Sequence, residues 1–332
     1  MRKFIVFTIC IIFSATFIEA KDVAQQRDDM LKKWIEKYDV PVAVRNIKGK
    51  EHRKQFWEAL VSENPRLKKL YEDIAKNKGA EKEAVEHVNK MRVFHPETAP
   101  YVVNEMDSDV NYFRDYIGVS PDLCSVHVYR DSVPTTAIGL TVDGKFAVFV
   151  NSGLLVALGK DNMDMLEPII AHEIAHGLLS HHLSTEYYLA KKKRKDKLVS
   201  GLAVGLGAAV GVAGAGLLGF GFVPVPLYDP KSDAVIEVTK NDLLSGYRYT
   251  EGNEIEADLA AYRYFDQIEG DGDMYIEYLR SLYLNSPKPT EEELVMMQKP
   301  PVALRLALVR YAAEHPEVIN TADSKIFKGK KN

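Results

Sequence analysis

The chain has 332 residues, 46% of them hydrophobic and 27% charged, with a formal net charge of −4. That composition describes an ordinary globular protein able to bury one or two cores. A nearly balanced charge leaves no basic footprint for nucleic acid, so no nucleic-acid partner is expected, and it singles out no other partner.

The first twenty residues, MRKFIVFTICIIFSATFIEA, carry Arg2 and Lys3, an apolar run from Phe4 to Ile18, and Ala20 as a cleavage residue. Residues 1–20 read as a secretory signal peptide, with an uncleaved N-terminal anchor as the alternative because Ile18 is bulky for its place before the cut. Cys10 follows Ile9, which gives no support to a lipoprotein signal. Cleavage would remove two of the 43 basic and one of the 47 acidic residues, leaving a net charge of about −5. Only Cys124 would remain, so an internal disulfide is excluded and the thiol reads as a small buried apolar group.

Residues 21–100 are charged and helix-patterned. Trp34, Ile35, Phe56, Trp57, Leu60 and Leu67 form the apolar seam of solvated helices in which no chemistry is evident. After the break HPETAP at 95–100 the pattern changes. SVHVYRDS, 125–132, predicts a strand; Phe146 to Val150 predicts another, followed by a helix that begins at Asn151 or Ser152. Leu166 to His181 predicts one continuous helix, then comes the basic run AKKKRKDK, then thirty uncharged residues, 198–227, rich in glycine.

That stretch is long enough to cross a bilayer, which takes ~20 residues. In an exported protein the preceding lysines would stand on the outer side, against the positive-inside tendency. The expectation is therefore a helical hairpin on the membrane or over the active-site groove, with a true span and a buried core helix as alternatives.

AHEIAHGLLSHH, 171–182, concentrates four histidines and a glutamate. At ~100° per residue His172 and His176 share a helix face, whereas His181 sits ~180° and His182 ~80° from His172. Only the first pair can converge on one ion. His-Glu-x-x-His is the zincin pattern, in which paired imidazoles bind the metal and Glu173 acts as the general base. Downstream, YTEGNEIEADLAAYRYF, 249–265, places Glu254 and Asp258 one turn apart and turns Glu256 away. A carboxylate such as Glu254 can be the third ligand of a catalytic zinc, and Asp258 can accept a hydrogen bond from a ligating imidazole.

Together, HEIAH at 172–176 and EIEAD at 254–258 resemble the gluzincin metallopeptidases of the HtpX, BepA and CaaX prenyl protease group, peptidase family forty-eight. FAVFVNSGLL, 146–155, and PPVALRL, 300–306, are similar to further motifs of that family, and the resemblance runs from about Asp107 to Leu308. It implies His172, His176 and Glu254 as ligands of one Zn²⁺ per chain, Glu173 as the base, and Asp258 as the residue that holds a ligand from behind. His181 is given a packing or hydrogen-bonding role. The chain departs from the family at Lys299, where histidine is usual, at Thr136, where asparagine is common, and at Ala261, where glycine is usual. With the sequence ending at Asn332 no tetratricopeptide array follows, which favours the compact members.

The expected fold is α+β: a mostly helical zincin-like catalytic domain with a small β-sheet whose edge strand flanks the active-site helix. Its divisions are 1–20, a helical region 21–100, a metallopeptidase domain 101–312 carrying the apolar insertion 198–227, and a basic tail 313–332. The strand Phe146, Ala147, Val148, Phe149, Val150 is taken as the edge to which an extended protein or peptide substrate adds. Arg305, Tyr247 and Tyr249 are each chemically able to stabilise the oxyanion, and Arg305 is favoured. The expected function is zinc-dependent hydrolysis of peptide bonds by an exported, membrane-associated protein of the periplasm or cell envelope, in protein quality control. The alternative is an inactive metal-binding module at the membrane surface that holds misfolded proteins. Glu173 argues against that alternative, because a holder needs no base.

Overall fold

The computed structural model describes residue 25 and residues 28–39, 51–91, 102–134, 136–140, 145–202, 251–285 and 302–318. The signal or anchor at 1–20, residues 203–227 of the apolar insertion, Tyr247, Tyr249, Lys299 and the tail beyond 318 lie outside the described residues. Among the described residues no helix is long and apolar enough to cross a membrane.

Helix α1 covers 28–38. It is followed by α2 (His52–Ser62), α3 (Pro65–Lys76), α4 (Lys78–Met91) and α5 (Asp107–Tyr116). Three strands come next, β1 (Cys124–Tyr129), β2 (Thr136–Leu140) and β3 (Phe146–Asn151), then α6 (Ser152–Leu158), α7 (Leu166–Leu178) and α8 (His181–Leu202). The last helices are α9 (Glu251–Tyr264), α10 (Gly272–Asn285) and α11 (Val302–Glu314). The fold is α+β and mostly helical, as the sequence predicts.

The sheet has the order β1-β3-β2, with β1 parallel and β2 antiparallel to β3. Every residue of β3 is buried. Val148 is in register with Val126 of β1 and Ile138 of β2, so β3 is the central strand. This corrects the expectation that Phe146 to Val150 form the edge. A continuous apolar run is what a strand covered on both faces requires, and pairing on both sides leaves it no free backbone groups. Among the described residues β2 pairs on one side only, and it is β2 that lies along α7.

Helix α7 is buried on all sides from Leu166 to Gly177, apart from Glu167, consistent with its apolar composition. A Cβ at Gly177 would come within 2.5 Å of the Phe146 ring. That glycine lets α7 sit directly on the Phe146 ring of β3. The helix stops at Leu178, and Ser180 takes a left-handed φ of 53°. The predicted single helix to His181 is thus two helices, because the left-handed residue ends one and lets α8 start in a new direction.

The N-terminal helices share the main core with the rest. Leu31, Ile35, Phe56, Trp57, Leu60 and Leu67 pack in the same cluster as Ile170, Ile174 and Leu259. Trp57 stacks on Tyr264 of α9 at 5.1 Å and donates to the Ile117 carbonyl at 2.8 Å. Buried Asp39 pairs with buried Arg263 of α9, Nε to Oδ1, at 2.9 Å. Asn64 starts α3 by accepting from the Arg66 and Leu67 amides, with Pro65 in the first turn.

Candidate active site

Helices α7 and α9 pack against each other and present their polar residues to one buried point. One turn of α7 separates His172 from His176, and their Nε2 atoms stand 3.0 Å apart. Glu254 on α9 approaches both, with Oε2 at 3.7 Å from His172 Nε2 and Oε1 at 3.9 Å from His176 Nε2. One ligand atom from each of the three residues lies within 4.8 Å of the others, and all three side chains are buried. Two nitrogens bound tetrahedrally to zinc at ~2.0–2.1 Å would stand ~3.3 Å apart. The donor set and its spacing therefore fit a divalent metal with two imidazoles and one carboxylate.

The direction of the His172 ring is set from behind. Its Nδ1 lies 3.0 Å from Asp258 Oδ1, so a ring that bound a cation through Nε2 would keep its proton on the Asp258 side. Tyr275 of α10 donates to the same oxygen at 2.8 Å. Arg305 of α11 completes the support. Its Nε and Nη2 bind Asp258 Oδ2 and Oδ1 at 2.6 and 2.7 Å, and its Nη1 reaches Glu254 Oε2 at 3.1 Å. Burial opposes charge on Asp258, but Arg305 and then His172 hold its carboxyl below the usual range. Burial likewise opposes a charged His172, yet Asp258 and Glu254 outweigh it and raise the ring to about 9.

Arg305 thus lies against Asp258 and against the cluster-facing side of Glu254. The guanidinium is buried, only 5% exposed, binds two carboxylates, and has Nη2 3.5 Å from His172 Nε2, a bracing position that the sequence reading did not foresee. Its chemistry here is to neutralise Asp258 and Glu254 where no water can.

Glu173 follows His172 in α7 and is 8% exposed. Thr136, the first residue of β2, donates its hydroxyl to Glu173 Oε1 at 2.9 Å. Sequence reasoning marked Thr136 only as a departure from asparagine, and a hydroxyl donor at that place was the available signal. Tyr275 was missed, since nothing in DMYIEYLRS distinguishes it from a core tyrosine. Glu256 turns away from the site as its helical angle predicts, and lies 3.4 Å from Arg66 of α3. His181 lies close to the site, its Nδ1 2.8 Å from His176 Nδ1, although a continuous helix would have carried it away.

Cys124 is fully buried on β1, where burial pushes its thiol well above the ordinary value, in keeping with an inert apolar role.

The family model described as peptidase family M48 matches residues 121–320. No curated protein matches the chain. A crystal structure of S. mikatae Ste24p is similar at 14% identity and a TM-score of 0.33, over 61% of this chain and 49% of that one. The chain spans about half the length of that structure. The family match takes in the sheet, α7, α9 and α11, which is more than half of the sequence, and the chain belongs to peptidase family M48.

Proposed function

We propose that this chain is a zinc-dependent metalloendopeptidase that holds one Zn²⁺ per chain on His172, His176 and Glu254. The observation that carries the reading is the convergence of those three buried side chains beside a glutamate, Glu173, that is not among the ligands. Zinc held there would supply a Lewis acid able to lower the pKa of a water toward ~7. The Glu173 carboxylate would take the proton of the attacking water and later deliver it to the leaving amine nitrogen. Thr136 fixes Oε1 of Glu173, which leaves Oε2 to carry the proton. Asp258, Tyr275 and Arg305 hold His172 and Glu254 in place.

The substrate is an extended stretch of protein. Its backbone would add to the free side of β2, which lies along α7 and pairs with β3 alone among the described residues. This mode reads main chain more than side chains and suits misfolded proteins. The N-terminal signal pattern supports export, and the basic run with the uncharged residues 198–227 supports attachment to a membrane of the cell envelope. Residues 101–312 form the catalytic region in this reading, preceded by a helical support over 21–100 and followed by a basic tail over 313–332.

The test compares purified wild type and Glu173→Gln for bound zinc and for casein cleavage with and without chelator. Both proteins should hold zinc, and the variant should lose at least ~100-fold in cleavage, the low end of what a positioned acid–base group contributes. Equal, chelator-insensitive cleavage by both, with casein binding intact, would reject the peptidase in favour of a holding module.

A further inference from the structure

The two ligand imidazoles are braced in different ways. His172 meets a carboxylate directly, whereas His176 meets a third histidine. The Nδ1 atoms of His176 and His181 stand 2.8 Å apart, with the rings nearly perpendicular at 76°. On its other side His181 Nε2 lies 3.6 Å from Glu256 Oε2, and the same oxygen lies 3.4 Å from Arg66 Nη1. Arg66 is itself tied down, for its Nη2 donates to the carbonyls of Tyr38 and Asp39. His176, His181 and Glu256 are all buried.

The proton positions follow from this geometry. A ring that offers its Nε2 lone pair to a cation carries its proton on Nδ1. His176 Nδ1–H then donates to His181 Nδ1, which must present a lone pair. His181 accordingly carries its own proton on Nε2, the nitrogen that faces the Glu256 carboxylate, and Arg66 balances that charge. Reversing any one proton would set two hydrogens or two lone pairs against each other. Nor can His181 be a ligand in its own right, because it meets His176 at Nδ1, on the side of the ring away from the Nε2 cluster.

We propose that His181 is a positioning residue for the metal centre, fixing the tautomer and ring angle of His176 through its Nδ1 and held there by Glu256 of α9 and Arg66 of α3. The proposal rests on the reading of His172, His176 and Glu254 as zinc ligands. It makes the N-terminal helices part of the site, since α3 supplies the cation at the end of the relay. A packing role alone would be met by any ring of similar size and would not call for a buried glutamate backed by a half-buried arginine.

The test measures zinc affinity of the full chain by competition with a chromophoric chelator, together with the visible absorption of the Co²⁺-substituted protein. His181→Phe keeps a ring without the acceptor, and His181→Gln keeps an acceptor without the ring. The phenylalanine variant should bind zinc about 10–100-fold more weakly and show an altered Co²⁺ spectrum, and Glu256→Gln should lose about threefold to tenfold. The glutamine variant at 181 should remain within about threefold of wild type with an unchanged spectrum. Wild-type affinity in His181→Phe, or an equal loss in both variants at 181, would overturn the proposal. Should His181→Phe fail to fold by circular dichroism, Glu256→Gln decides, and its binding zinc as tightly as wild type overturns the relay. A wild-type chain that takes up no zinc would instead overturn the ligand assignment itself.

Discussion

Thr136 donates a 2.9 Å hydrogen bond to Glu173, joining strand β2 to the proposed base. Thr136→Val keeps the branched shape and removes the donor. It should lower kcat by about tenfold, a fraction of the 10²–10⁴ that a positioned base supplies, while bound zinc stays unchanged. Thr136→Ser should recover most of the rate. A valine variant with wild-type kcat would show that the hydroxyl does not act on the base.

The two glutamates of EIEAD occupy opposite surroundings. Glu254 faces both imidazole Nε2 atoms, while Glu256 faces Arg66 and His181. Glu254→Gln should therefore lose zinc far more than Glu256→Gln when metal is counted on purified protein. The reverse ranking would mean that the wrong carboxylate has been assigned to the metal.

Asp258 and Arg305 act as a pair. Asp258→Asn should weaken zinc binding by about 10–100-fold with the fold intact, as for an outer partner of a ligating imidazole. Arg305→Met leaves the buried Asp258 carboxylate without its cation and should cost about 3–5 kcal/mol of stability in denaturant unfolding. Loss of kcat in Arg305→Met with stability unchanged would return that residue to the transition state.

Glu167, in the first turn of α7, is raised to about 7, first by burial and then by Glu269, with Arg53 opposing. Between the ordinary carboxylate value and about 7 the folded state binds a proton that the unfolded chain has released, so this group removes stability as pH rises through that window. Glu167→Gln should melt with wild type near pH 4 and above it at pH 8. Equal melting temperatures at both values would show that the side chain is solvated.

The candidate metal cluster was legible because His172 with His176 and Glu254 with Asp258 are each four residues apart on unbroken helices, where period 3.6 decides which side chains meet. His181 was not. Its angle was reckoned along a helix that Ser180 ends, and a left-handed serine carries no strong sequence mark. Strand order was equally hidden, since alternation says which face is buried and not which neighbour a strand pairs with. Even so, five apolar residues in a row at Phe146 to Val150 are the composition of a central strand. The burden on Arg305 became visible only once α11 lay against α7 and α9.

The pair Asp39 to Arg263 joins positions 224 residues apart in the chain. Arg66 to Glu256 and Thr136 to Glu173 also close long loops, and Arg305 arrives still later in synthesis. Closing such loops costs entropy that is returned only when the last partner is in place. The order of synthesis therefore delays full support of the His172, His176 and Glu254 cluster until α11 has been made. A chain cut after Asn285 lacks α11, and it should fail to retain zinc through gel filtration under conditions in which the full chain does.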